Sequence, residues 1–117
     1  MQPRITDVER VKKQVRKLAA GKVLWGDAAD VCLDLAQLEG CQVRVVAGYG
    51  QLSEDPQKLA SDQFIWILDG YAEIHTAVGA ETRISQGEST VLLAGEAYRF
   101  FFPQLTLYLL VESGGDA

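Results

Sequence analysis

Residues with chemistry to offer are few in this chain of 117 amino acids. It holds one histidine, His75, and two cysteines, Cys32 and Cys41. The cysteine spacing matches no metal or redox motif, and two are too few for a disulfide framework. Both are expected to be reduced, partly buried and apolar in behaviour. His75 falls in Tyr71–Val78, where alternation places Ala72, Ile74 and Thr76 on one face and Tyr71, Glu73 and His75 on the other. The first set reads as the inner face, which leaves His75 a surface histidine without a catalytic role.

The bulk numbers bound the rest. The length allows one domain, able to bury a real core without staples. No apolar stretch approaches the roughly 20 residues that span a bilayer, and the charged N-terminus has no signal-peptide core. A cytoplasmic protein is expected. The net charge of −5 conceals an asymmetry: residues 1–22 carry seven basic and two acidic residues, and the remainder four basic and fourteen acidic. An acidic body argues against nucleic acid and anionic membranes as partners. The basic segment is expected to lie on that acidic body, its own or a partner subunit's.

The elements that must position any site are short. Residues 6–20 read as a helix, with Ile5, Val8, Val11, Val15 and Leu18 forming one apolar stripe. Thr6 or Asp7 can cap its start, Glu9 is placed to complete a capping box from Thr6, and Gly21 is expected to stop it. Beyond Gly21, β-branched and aromatic runs alternate with turn residues. Strands are expected at 31–38, 42–49, 64–68, 71–78, 81–84, 89–93, 98–102 and 105–111. Asp69-Gly70 reads as a hairpin turn, and Gly70, Gly87 and Gly95 as positions needing a conformational freedom that other residues lack. The organisation is therefore a helix over 1–22, a barrel or sandwich over 23–112 and a frayed tail over 113–117.

Two stretches carry a family resemblance. Gln63–Gly70 has an apolar run closing on glycine, with Gly50 upstream, and Gly87–Tyr98 has the glycine-to-glycine spacing through Gly95. In these the chain resembles the cupin superfamily, and the stretch from Val46 through Gly70 to Leu110 is similar in rhythm to the cupin domain of ethanolamine-utilisation proteins. The resemblance implies a mainly β, single cupin-type jelly-roll barrel. It also implies where a metal would sit in metal-binding relatives: two histidines, a glutamate and a further histidine. Here the two histidine places hold Pro56 and Lys58, or Gln57 and Leu59 with the shorter gap. The glutamate place holds Gln63 and the last histidine place Tyr98. None offers imidazole or carboxylate, so no metal and no cofactor is expected.

A barrel without metal still has a mouth. If Gln63 faces inward with Ile65 and Ile67, then Tyr98, Phe100 and Phe102 share the interior, with Tyr49, Gln51 and Gln57 or Lys58 near the mouth. These are the pocket candidates, suited to a small uncharged ligand held by stacking and amide hydrogen bonds. The competing expectation is a barrel filled by those side chains. Trp66 and Phe101 alternate outward and suggest a homodimer through a sheet face. Three functions follow in order: a non-catalytic small-molecule-binding or regulatory domain; a structural or interaction cupin with a filled barrel; and a metal-independent isomerase or lyase using Tyr98, assisted by Lys58.

Overall fold

The computed structural model describes residues 5–24, 29–51 and 55–113. Among the described residues one helix, α1 (Val8–Leu24), precedes eight strands. They are β1 (Ala29–Leu38), β2 (Cys41–Gln51), β3 (Gln57–Lys58), β4 (Gln63–Asp69), β5 (Tyr71–Thr76), β6 (Glu81–Ser85), β7 (Ser89–Leu92) and β8 (Ala97–Ser113). All pairings are antiparallel. The mainly β barrel expected from the sequence is therefore present. Residues 1–4 of the N-terminal segment and 114–117 of the tail lie outside the described residues. Ser113 is the last residue of β8, and its backbone N–H donates to the Asp62 carbonyl at 3.1 Å.

Asp7 caps α1, its Oδ1 accepting from the backbone N–H of Glu9 at 3.1 Å and of Arg10 at 3.4 Å. Glu9 does not turn back to a capping box; its carboxylate meets Lys12 at 3.3 Å. Gly21 does not stop the helix, which continues to Leu24. A lone glycine costs a helix only about 1 kcal/mol, too little to break it when the preceding turn is anchored. The anchor is Val15 and Ala19, both fully buried against Val45, Ala47 and Leu107. Lys12 and Arg16 both pair with Asp69 at the end of β4. The hydrogen bond that the Lys12 ammonium donates to Asp69 holds it above the usual lysine range. Here the basic segment lies on an acidic group of its own body.

The strand expected over 98–102 and that over 105–111 are one strand, β8, of 17 residues. Its first arm pairs with the end of β2, with β3 and with β5; its second arm pairs with β2 and β4. Pro103 lies between the arms, where the β2 ladder shifts register, a place that tolerates the missing N–H. Asp69-Gly70 is not a hairpin, because β4 and β5 pair with successive parts of β8 and not with each other. It is a corner that carries the chain from one arm's neighbours to the other's. Gly70 takes φ +90°, and a Cβ there would come within 2.6 Å of the Thr106 hydroxyl. That hydroxyl is fully buried, accepts from the Tyr71 N–H at 3.2 Å and donates at 2.8 Å to the Tyr71 carbonyl.

The barrel core gathers Val46, Ile65, Ile67, Ala72, Ile74, Ile84, Leu92, Phe102, Tyr108 and Leu110. Ala72 and Ile74 face inward as alternation along β5 requires. Cys32 is exposed and Cys41 half-buried, both free. The expectation of a partly buried Cys32 fails because it alternates with Val31 and Leu33, which take the covered face of β1 beneath α1.

Candidate functional site

Inside the barrel, Ile65, Ile67, Ala72, Ile74, Ile84, Phe100, Phe102 and Tyr108 line a gap too narrow to hold a water molecule. Three rings account for the filling. Phe100 and Phe102 stack with centroids 6.2 Å apart, and Phe102 and Tyr108 with centroids 5.7 Å apart. Burial pushes the Tyr108 phenol well above the usual tyrosine range, with Asp30, Cys32 and Glu112 adding to the shift. A tyrosine whose ionisation is suppressed only in the folded state stabilises the fold fully below its unfolded value of 10.0, and that stability is lost as pH rises further. Tyr108→Phe keeps the stack and removes the phenol. It is expected to raise the alkaline unfolding midpoint seen by circular dichroism; an unchanged midpoint would mean that Tyr108 does not control it.

Of the pocket candidates from the sequence, Gln57 and Tyr98 are register partners on β3 and β8. Tyr98 and Phe100 pack against the core, while Gln51, Gln57 and Lys58 are exposed and Tyr49 is half-buried. Gln63 shares its face with Ile65 and Ile67, but its amide donates to the Glu112 carboxylate at 3.0 Å. Glu112 is in turn 3.2 Å from Arg44, which also meets Asp34 at 3.0 Å and the Gln42 side chain at 2.5 Å. Sequence reasoning missed this network. Its signal was period-two spacing: Gln42 and Arg44 lie in step with inward Val46, and Glu112 with inward Leu110. A charged pair of this kind at the rim satisfies polar groups that burial would otherwise penalise.

The second feature lies outside. Phe64 and Trp66 on β4, with Val91 on β7 and Leu93 just beyond it, are 36%, 43%, 59% and 54% exposed. Phe64 pairs in register with Val91 on one side and Val111 on the other, and Trp66 with Ser89 and Leu109. They form one apolar patch on the side of the sheet whose β1–β2 part α1 covers. Phe101 does not join it. It points outward too, but from the first arm of β8, where it pairs with Gln51 and Glu73. A strand apolar on both faces is a burial signal, and Phe64–Ile67 carries it in full.

One cleft has measurable volume on the barrel wall, ≈ 200 Å³ beside Thr82, Arg83, Glu88 and Thr90. Another, wider and more open at ≈ 390 Å³, lies between α1 and β1 beside Gln14, Lys17, Leu18 and Leu33. Among the described residues no helix is long and apolar enough to cross a membrane.

The architecture has clear counterparts among solved structures. The EutQ protein of Clostridium difficile is 19% identical, with a TM-score of 0.66 over 77% of this chain and 71% of that one. A cupin superfamily protein from Desulfitobacterium hafniense is 15% identical, with a TM-score of 0.62 over 73% of this chain and 77% of that one. A protein of unknown function from Rhizobium leguminosarum is 14% identical, with a TM-score of 0.70 over 97% of this chain and 98% of that one. No protein-family model and no curated protein matches the sequence. The chain has the cupin fold.

Many cupins hold a metal in the barrel, and the donor set here does not fit one. Of the corresponding residues, Leu59 packs on the core, Gln57 pairs with Tyr98, and Gln63 is bound to Glu112. The enclosed gap is lined by aliphatic and aromatic side chains with a single phenol. Neither group offers the imidazole and carboxylate set that a divalent ion requires.

Proposed function

We propose that this chain is a metal-free, non-catalytic cupin that acts as an interaction module, pairing with a second copy through the Phe64–Trp66–Val91–Leu93 patch. The observation that carries this reading is the contrast between a barrel packed shut by its own aromatics and an uncovered apolar face. Charge and shape favour a second copy as the occupant. The exposed basic residues of α1, among them Arg10, Lys13 and Lys17, flank one side of the face, and exposed Asp62, Glu88 and Glu96 lie toward β7. A two-fold axis along the strands sets α1 of one copy beside β7 of the other, so unlike charges meet at both rims. The helix rises one layer, about 10 Å, above its own sheet, the height at which the second copy's sheet would lie.

Sedimentation equilibrium tests the proposal. The native chain is expected to be a dimer, and Trp66→Glu a monomer with an unchanged circular dichroism spectrum. A native monomer at the highest soluble concentration overturns the reading, as does a Trp66→Glu dimer.

A second reading, reception of a small molecule, has two clefts in its favour: the open ≈ 390 Å³ one beside Gln14, Lys17, Leu18 and Leu33, and the ≈ 200 Å³ one at Thr82, Arg83, Glu88 and Thr90. The first is within the roughly 300–1,000 Å³ typical of ligand sites, and the second suits a ligand of only a few heavy atoms. A fragment screen by NMR, with shifts abolished in Thr82→Val, would move this reading ahead.

A further inference from the structure

The β5–β6 hairpin gathers chemistry on its outer side, away from the barrel core and the apolar patch. His75 pairs in register with Glu81, and Glu73 lies two residues before His75 on the same face. One ligand atom from each of Glu73, His75 and Glu81 lies within 4.8 Å of the other two. His75 Nε2 is 3.8 Å from Glu73 Oε1, and Nδ1 is 3.9 Å from Glu81 Oε2. Both separations exceed the roughly 2.7–3.2 Å of an N–H···O hydrogen bond. The two carboxylates face different ring nitrogens, so one ion reaches all three residues through the single set of ligand atoms that lies within 4.8 Å, with one carboxylate turning toward the nitrogen that the other already faces.

We propose that Glu73, His75 and Glu81 form a surface binding site for a divalent transition cation, with Zn²⁺ the best match. Imidazole with two carboxylates is a borderline donor set that suits zinc better than magnesium or calcium. The metal takes one ring nitrogen and one oxygen from each carboxylate, leaving a fourth position for water. The platform is firm: the Thr76 N–H donates to the Ala80 carbonyl at 2.9 Å, and the Ala80 N–H to the Thr76 hydroxyl at 3.1 Å, across a turn where Gly79 takes φ +87°. The side chains of Glu73 and His75 are 27% and 21% exposed and that of Glu81 57%, so the site is partly shielded yet open to entry.

Two arginines border the cluster. Arg83 pairs in register with Glu73, but its guanidinium lies 3.9 Å above the Tyr71 ring. Arg99 pairs in register with His75 on the other side. Their charge opposes a dication and holds the site to modest affinity.

The test uses the single histidine. Zn²⁺ is titrated into metal-stripped protein in which Cys32 and Cys41 are replaced by serine, followed by calorimetry and by the His75 ring proton signals. One equivalent of heat with shifted ring signals is expected. His75→Ala should weaken binding by more than the roughly 10-fold that loss of an outer partner costs a metal site. Glu73→Gln and Glu81→Gln should each weaken it as well, with unchanged thermal midpoints in the absence of metal. Ring signals unmoved by Zn²⁺, or binding retained in His75→Ala, overturns the proposal. So does loss of all binding on removing the cysteines alone, which would place the ion elsewhere.

Discussion

Replacing Phe102 by alanine is expected to remove about 3–5 kcal/mol of folding stability, the usual cost of deleting a buried aromatic ring. Phe102 is 1% exposed and is the middle ring of the stack between Phe100 and Tyr108. It also lies flat on the backbone of Gly48, where a Cβ would fall 2.6–2.8 Å from three ring carbons. Little can collapse into the space, because its neighbours are strand residues held by ladders on both sides. Domains of this size have only about 5–15 kcal/mol in hand, so the variant should sit near or beyond its unfolding threshold at moderate temperature. Urea unfolding followed by tryptophan fluorescence measures the loss. Phe102→Leu keeps most of the volume and should lose far less. If Phe102→Ala lost under about 1 kcal/mol, a value typical of surface changes, the barrel would not be filled in the way described.

The second large effect is expected at Gly70. Gly70→Ala meets two penalties at once: a left-handed φ, and a Cβ driven into the buried Thr106 hydroxyl. Strain of the first kind costs about 1–3 kcal/mol, and displacing a buried hydroxyl from its backbone partners costs a similar amount. A loss of about 3 kcal/mol should lower the thermal midpoint by roughly 10 °C or more. Gly79→Ala is the matched control. Its φ of +87° is nearly the same, and a Cβ there meets nothing within 4 Å. Scanning calorimetry on both variants separates backbone strain from collision. Equal losses would remove the steric role given to Thr106.

Much of the fold was legible in the sequence because its signals are local. The strands ending at Asp69 and beginning at Tyr71 could be placed from alternation, and the glycines at 70, 87 and 95 do take positive φ. What alternation does not encode is pairing. Asp69-Gly70 has the composition of a hairpin turn, yet its flanking strands find partners on β8, about 20 to 50 residues further along the chain. Whether 98–102 and 105–111 are two strands or one depends on what lies beside Pro103, which no local pattern records. The helix end was misjudged for the same reason: tertiary contacts at Val15 and Ala19 outweigh the weak preference of Gly21.

The candidate site was less legible. Filling of a barrel depends on how rings from Phe100, Phe102 and Tyr108 meet across strands. The outward pointing of Trp66 was readable from period two, but its company with Val91 and Leu93 required the β4–β7 register. The Glu73–His75–Glu81 grouping could have been found, since two residues separate in phase on one strand and a third follows a glycine turn.

The long strand β8 has a consequence for how the chain comes to be folded at all. It pairs with β2, β3, β4 and β5. Without it the pairings left are β1 with β2, β4 with β7, and β5 with β6. During synthesis at about 5–20 residues per second, the segment before residue 97 therefore leaves the ribosome able to make only these separate pairs. Closure waits for distant contacts, a topology that folds slowly. For those seconds Phe64, Trp66, Ile65 and Ile67 have no cover on either side, and protection from aggregation must come from outside the chain.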